Sequence, residues 1–217
     1  MQFFILAPST ELKEEELAFY KEAKVRNFIF FKQHFEVDFL EYLNKLKKEL
    51  KELAFLCVDQ EGGRVARIPG DYSSPLSMAK LRKEKGDKVF LEWATSLAKA
   101  VKNYGLNVNL APCVDLASTE APDFLKERTF SLDPEEVSEC ATLFYRAHKE
   151  QGIAVCLKHF PGLGGVEVDP HENLPKKGSL TDKDLLPYKK LSSLYPIVMT
   201  THLIVEDFDN KPATFSQ

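Results

Sequence analysis

The sequence predicts an α/β protein built on a parallel sheet, and three observations lead there. Short apolar runs alternate with longer amphipathic segments along all 217 residues. The runs are nearly continuous in apolar character, as strands covered on both faces are. Polar and charged residues gather where the runs end, at Asp59, Asp115, Lys158, His159 and His202. Repeated strand–helix units place successive strands side by side, in an open sheet or a barrel. In either form the carboxyl ends of the strands make the functional face.

The expected strands are "FFILAP" (Phe3–Pro8), "NFIFF" (Asn27–Phe31), "LAFLCVD" (Leu53–Asp59), "NVNLAPCVD" (Asn107–Asp115), "AVCLKHF" (Ala154–Phe160) and "IVMTTHLIV" (Ile197–Val205). Five helices are expected between them. "ELKEEELAFYKEA" follows the cap candidates Ser9 and Thr10. "VDFLEYLNKLKKEL" carries an apolar stripe through Phe39, Leu40, Tyr42, Leu43 and Leu46. "DKVFLEWATSLAKAVKNYG" ends on Gly105, a natural residue to follow a helix. "DPEEVSECATLFYRAHKEQG" opens with Asp133-Pro134 and an acidic first turn and stops at Gly152. "TDKDLLPYKKLSSL" precedes the last run. About six βα units result, two short of the eight that close a (β/α)8 barrel.

Composition narrows the function classes. Hydrophobic residues make 44% of the chain, charged residues 29%, and the net charge of -4 comes from interleaved signs. That is not the basic footprint of a nucleic-acid binder. No apolar run approaches the roughly 20 residues that span a bilayer. The N-terminal segment lacks a basic leader and reads as a first strand. Cys57, Cys113, Cys140 and Cys156 are far apart with no C-x-x-C pair. They read as buried thiols of a reducing cytoplasm rather than disulfides or a zinc site.

Three stretches carry chemistry. In "VDQEGGRVARI" a strand ends in Asp59, two glycines turn the chain, and Arg64 and Arg67 follow. A strand-end carboxylate can accept hydrogen bonds from two sugar hydroxyls, with an arginine completing a polar clamp. The same residues would equally serve a turn with a surface ion pair. In "ERTFSLDPEEV", Arg128 offers a planar fork suited to a carboxylate or a substrate oxygen. In "KHFPGLGGVEVDPHENLP", Lys158 and His159 end a strand, and Asp169 and His171 follow a glycine loop. An aspartate beside a histidine can fix its tautomer and raise its basicity, which would suit His171 to give and take a proton near neutral pH; a loop in which His171 only caps a backbone carbonyl is the alternative. His159, Asp169 and His171 are also a candidate ligand set for a metal-dependent barrel hydrolase. Against that reading, no H-x-H closes the first strand, and Lys158 would set a positive charge beside the ion.

These stretches, with "NLAPCVDL" and "PATFS" in order, resemble family 3 glycoside hydrolases, in particular the bacterial β-N-acetylhexosaminidases of peptidoglycan recycling. The resemblance implies a TIM (β/α)8 barrel and a retaining hydrolysis of N-acetylglucosaminyl-anhydromuramoyl fragments in the cytoplasm. It implies Asp169 and His171 as a mobile-loop dyad, with His171 the general acid/base. It places Asp59, Arg67, Arg128, Lys158 and His159 around the N-acetylglucosamine, and it calls for no metal or organic cofactor. It further implies that the family's nucleophile, an aspartate ending a seventh strand, lies beyond Gln217. Residues 1–217 are then one C-terminally truncated barrel domain. Leu163 stands where the family pattern has a second histidine. A non-catalytic N-acetylglucosamine-binding relative is the alternative.

Overall fold

A computed structural model describes residues 4–116, 122–166 and 173–216. In chain order its elements are α1 (Glu14–Glu22), β1 (Phe28–Phe30), a 3-10 turn (Lys32–Glu36), α2 (Phe39–Glu49), β2 (Leu56–Val58), β3 (Gln60–Gly62) and β4 (Val65–Ala66). There follow α3 (Pro75–Lys85), α4 (Asp87–Asn103), β5 (Val108–Asn109), α5 (Pro134–Glu150) and β6 (Ala154–Phe160). The last are β7 (Lys176–Lys177), α6 (Asp182–Leu191), β8 (Ile197–Thr200) and β9 (Ile204–Val205).

The helix starts follow from their capping residues. Asp38 accepts from the Glu41 N–H, Ser74 from Ser77, Asp133 from Glu135 and Thr181 from Asp184. Each bond satisfies an N–H that has no partner within the helix.

Strands β1, β2, β5, β6 and β8 form one parallel sheet in chain order. A doubly wound sheet reverses its strand order at a switch point, and this one does not. Right-handed crossovers in one sequential direction put the helices on one face, which is the construction of a barrel wall. The fold is therefore of the TIM-barrel type, with the barrel incomplete in the described residues.

Two-residue alternation sorts the strand side chains. Phe28, Phe30, Leu56, Val58, Val155 and Leu157 face the helices and are almost wholly buried. Each such side chain contributes about 2 kcal/mol. Cys57, Val108, Leu110 and Cys156 form a smaller cluster on the other face with Ile29 and Met199. The next inner-facing positions after Cys57 and Cys156 are Asp59 and Lys158. The alternation thus delivers charged groups to the inner face where the strands end.

Three expectations need correction. Of the first expected strand, Phe3–Pro8, the described residues 4–8 form only a bridge between Leu6 and Phe28, with Leu6 N–H on Asn27 O at 3.1 Å and Ile29 N–H on Leu6 O at 3.0 Å. Pro8 has no N–H to continue the ladder, and Phe4 and Ile5 are exposed. Five strands and this bridge replace the expected six. The run 197–205 breaks after Thr200 into β8 and β9, and β9 pairs with β7 instead. Helix α3 was not expected, because it buries only Pro75, Met78 and Ala79 and so shows no apolar stripe.

Candidate active site

The hairpin β3–β4 brings the first motif over the strand ends. Gly62 and Gly63 turn it with φ of +100° and +56°. A Cβ on Gly62 would lie 2.6 Å from Ser73 O, and one on Gly63 would lie 2.8 Å from Ser74 Cβ. Both the left-handed backbone and the close approach therefore demand glycine.

Glu61 in this hairpin is buried and holds two cations. Arg128 meets it in a bidentate pair, Nε to Oε2 and Nη2 to Oε1, both at 2.8 Å. Lys158 Nζ lies 2.6 Å from Glu61 Oε1 and 2.7 Å from Asp59 Oδ1. Two carboxylates and two cations thus neutralise one another, with Glu61 and Lys158 buried and Asp59 at the edge of the open space above them. Burial works to raise the Glu61 pKa, but Lys158 and then Arg128 bring it down to about 2. Burial likewise opposes the Lys158 charge, and Asp59 and Glu61 outweigh it, so its pKa is raised. The pKa of Arg128 also rises, against its own burial, through Glu61.

A third acid, Asp115, lies beneath His159. Asp115 Oδ2 accepts from His159 Nδ1 at 2.7 Å and from Cys113 Sγ at 3.1 Å. Its Oδ1 accepts from Leu163 N–H at 2.8 Å. Burial pushes the Asp115 carboxyl up, but His159 and these donors bring it below the ordinary value. With Nδ1 donating to Asp115, the other ring nitrogen of His159 faces Arg128 Nη2 at 3.3 Å and accepts from it. One hydrogen-bonded chain therefore runs Asp59–Lys158–Glu61–Arg128–His159–Asp115.

A cavity of about 500 Å³ opens on this chain. Asp59, Arg67, Arg128, Lys158 and His159, all singled out in the sequence, line it together with Arg64, Leu163 and His202. The fork of Arg128 is already committed, to Glu61 and, through Nη1, to Phe124 O at 3.1 Å. Asp169 and His171 lie outside the described residues. No role for Glu61 was legible in the sequence, which placed Asp115 at a strand end without showing its partners. The signal for Glu61 was its place two residues after Asp59, beside the glycine pair. The signal for Asp115 was an acid closing the apolar run "NLAPCV".

Ligand atoms of Cys113, Asp115 and His159 lie within 4.8 Å of one another, close enough to consider a metal ion. Both neighbours use their protons on Asp115, and burial pushes the Cys113 thiol well above its usual range. A cation there would displace two protons beside the Arg128 guanidinium, so the arrangement suits hydrogen bonding better than ligation. Of the set expected for a metal-dependent hydrolase, only His159 is among the described residues.

The family pattern described as "Glycosyl hydrolase family 3 N terminal domain" matches residues 6–217. A beta-hexosaminidase of Idiomarina loihiensis is 30% identical over 100% of this chain and 68% of its own length. Beta-hexosaminidase A of Pseudoalteromonas piscicida is 32% identical over 75% of this chain and 29% of its own length. The solved structure of NagZ from Neisseria gonorrhoeae in complex with N-trifluoroacetyl-D-glucosamine is similar with a TM-score of 0.89. It shares 28% sequence identity, and the match covers 98% of this chain and 67% of that one. The chain thus spans from under a third to about two thirds of the length of these relatives.

Proposed function

The chain belongs to glycosyl hydrolase family 3, and from that premise we propose that it supplies the sugar-binding wall and the acid/base loop of a retaining β-N-acetylglucosaminidase. The observation that carries this reading is the convergence of Asp59, Arg67, Arg128, Lys158 and His159 on one cavity at the strand ends. Asp59 and Lys158 present hydrogen-bonding groups to sugar hydroxyls. Arg128 and His159 border the same space, and Glu61 and Asp115 hold them in place from beneath. His171, oriented by Asp169, gives a proton to the leaving oxygen and then takes one from water.

A retaining mechanism also needs a nucleophile. Asp59 is tied to Lys158, and Glu61 and Asp115 are buried in ion pairs. None of the three is assigned that role. The substrate class is an N-acetylglucosaminyl-anhydromuramoyl peptidoglycan fragment, and the setting is the cytoplasm. Four free, buried cysteines support a reducing compartment. Among the described residues, no helix is long and apolar enough to cross a membrane.

In the protein that also carries the nucleophile, the test is kcat/KM of wild type and His171→Ala on aryl N-acetyl-β-glucosaminides of graded leaving-group acidity. The loss should shrink as the leaving group becomes more acidic, because such groups need little protonation. A loss equal for every leaving group would remove His171 from the acid role. The alternative is a relative that binds N-acetylglucosamine without turnover, because the cavity residues suffice for binding alone. Saturable binding with no hydrolysis by the wild type would select it.

A further inference from the structure

A line of buried polar side chains runs from the outer helix layer to the hairpin. His148 on α5, Asn109 on β5 and Gln60 on β3 are all 0% exposed, and none of them lines the cavity. Burying three such groups is costly unless each is hydrogen-bonded; here every side-chain polar atom of the three except Gln60 Nε2 has a partner, and the bonds dictate one another. His148 Nδ1 lies 2.9 Å from Phe144 O, which can only accept, so Nδ1 carries the proton. Nε2 is then an acceptor, and Asn109 presents its Nδ2 to it at 3.0 Å. The same Nδ2 reaches Gln60 O at 2.9 Å, while Asn109 Oδ1 accepts from Gln60 N–H at 3.0 Å. Asn109 therefore pairs with the backbone of Gln60 as a neighbouring strand would.

Were the Asn109 amide turned over, its NH2 would meet the Gln60 N–H and its oxygen would meet the Nε2 lone pair. Both contacts repel. Gln60 in turn ties the returning side of the hairpin, its Oε1 accepting from Arg67 N–H at 2.9 Å and Ile68 N–H at 3.0 Å. Gln60 also sits between Asp59 and Glu61, the two acids that bracket Lys158.

We propose that His148 is a positioning residue for the cavity. Its Nδ1–H tautomer selects the Asn109 amide orientation, and Asn109 holds the hairpin that carries Glu61 and Arg67. Only the choice of sugar as the cavity's ligand rests on the functional reading above.

Three measurements on the full 217-residue chain test the proposal. Nitrogen chemical shifts of the wild-type imidazole should report Nδ1–H with an unprotonated Nε2 at pH 7. Amide hydrogen exchange at Arg67 and Ile68 should speed up about tenfold in His148→Met, while Val155 and Leu157 keep their wild-type rates. His148→Gln returns an acceptor to Asn109 and should restore slow exchange. The dissociation constant for N-acetylglucosamine should rise about fivefold in the Met variant and return in the Gln variant.

An Nε2–H tautomer in the wild type overturns the proposal, and that reading requires no variant to fold. So does exchange that accelerates equally at all four amides, or a Gln variant that behaves like Met. A wild type that does not bind N-acetylglucosamine would overturn the functional reading, and tautomer and exchange would still decide this one.

Discussion

Replacing Glu61 with glutamine isolates the ion pairs beneath the cavity. Glutamine keeps the shape and removes the charge, leaving Lys158 and Arg128 with Asp59 as the remaining carboxylate of the group. The magnitude follows from the Glu61 pKa of about 2 against an ordinary 4.5. At about 1.4 kcal/mol per pH unit, that gap corresponds to about 3 kcal/mol of stability. Breaking a buried ion pair by removing one partner costs about 3–5 kcal/mol, which agrees. The folded-state pKa is depressed, so the contribution is full above pH 4.5 and is lost as pH falls toward 2. Urea denaturation of wild type and Glu61→Gln should therefore differ by about 3 kcal/mol at pH 7 and by about 1 kcal/mol at pH 3. Adding Lys158→Met to Glu61→Gln should recover part of the loss, because the charges balance again. A gap under about 1 kcal/mol at pH 7, or one that does not narrow in acid, would show that the Glu61 charge does not hold the two cations.

Two further outcomes follow from burial. Burial lowers the His148 pKa from 6.5 to about 4, so as pH falls from 6.5 toward 4 the unfolded chain takes up a proton that the folded chain refuses. Stability should drop by about 3 kcal/mol over that window, and His148→Gln should flatten the fall. An unchanged slope in urea midpoints would argue against it. The four cysteines are free and buried, with Cys57 and Cys140 pushed up to about 12 and Cys156 to about 11. A disulfide reagent at pH 8 should therefore label native protein only as fast as it opens, and all four thiols at once in urea. Rapid stoichiometric labelling of the native state would contradict the burial.

The kind of sheet, the strongest helices and the cluster of cavity residues were all legible along the chain. Apolar runs covered on both faces differ from helical stripes in period, and that difference is local. The strand-end positions of Asp59, Lys158 and His159 are local too, since each closes an apolar run. Helix α3 escaped because a helix that buries so little of itself leaves no stripe to read. Phe3–Pro8 resembled a strand because composition does not report whether a neighbour completes the ladder.

Tertiary structure alone decided which charges pair. Glu61 and Arg128 are 67 residues apart, and Lys158 and Asp59 are 99 apart, so no spacing rule links them. Nor could the sequence choose between a free arginine fork and one spent on a buried glutamate. That depends on which side of the hairpin faces inward, and Gly62 and Gly63 set it against Ser73 and Ser74. The order of the sheet decided between barrel wall and doubly wound sheet, because identical βα units serve both until their direction of winding is known. His148 shows the same limit. One histidine on a helix face carries no sign of its partners, and its tautomer is fixed only where Phe144, Asn109 and Gln60 meet in space.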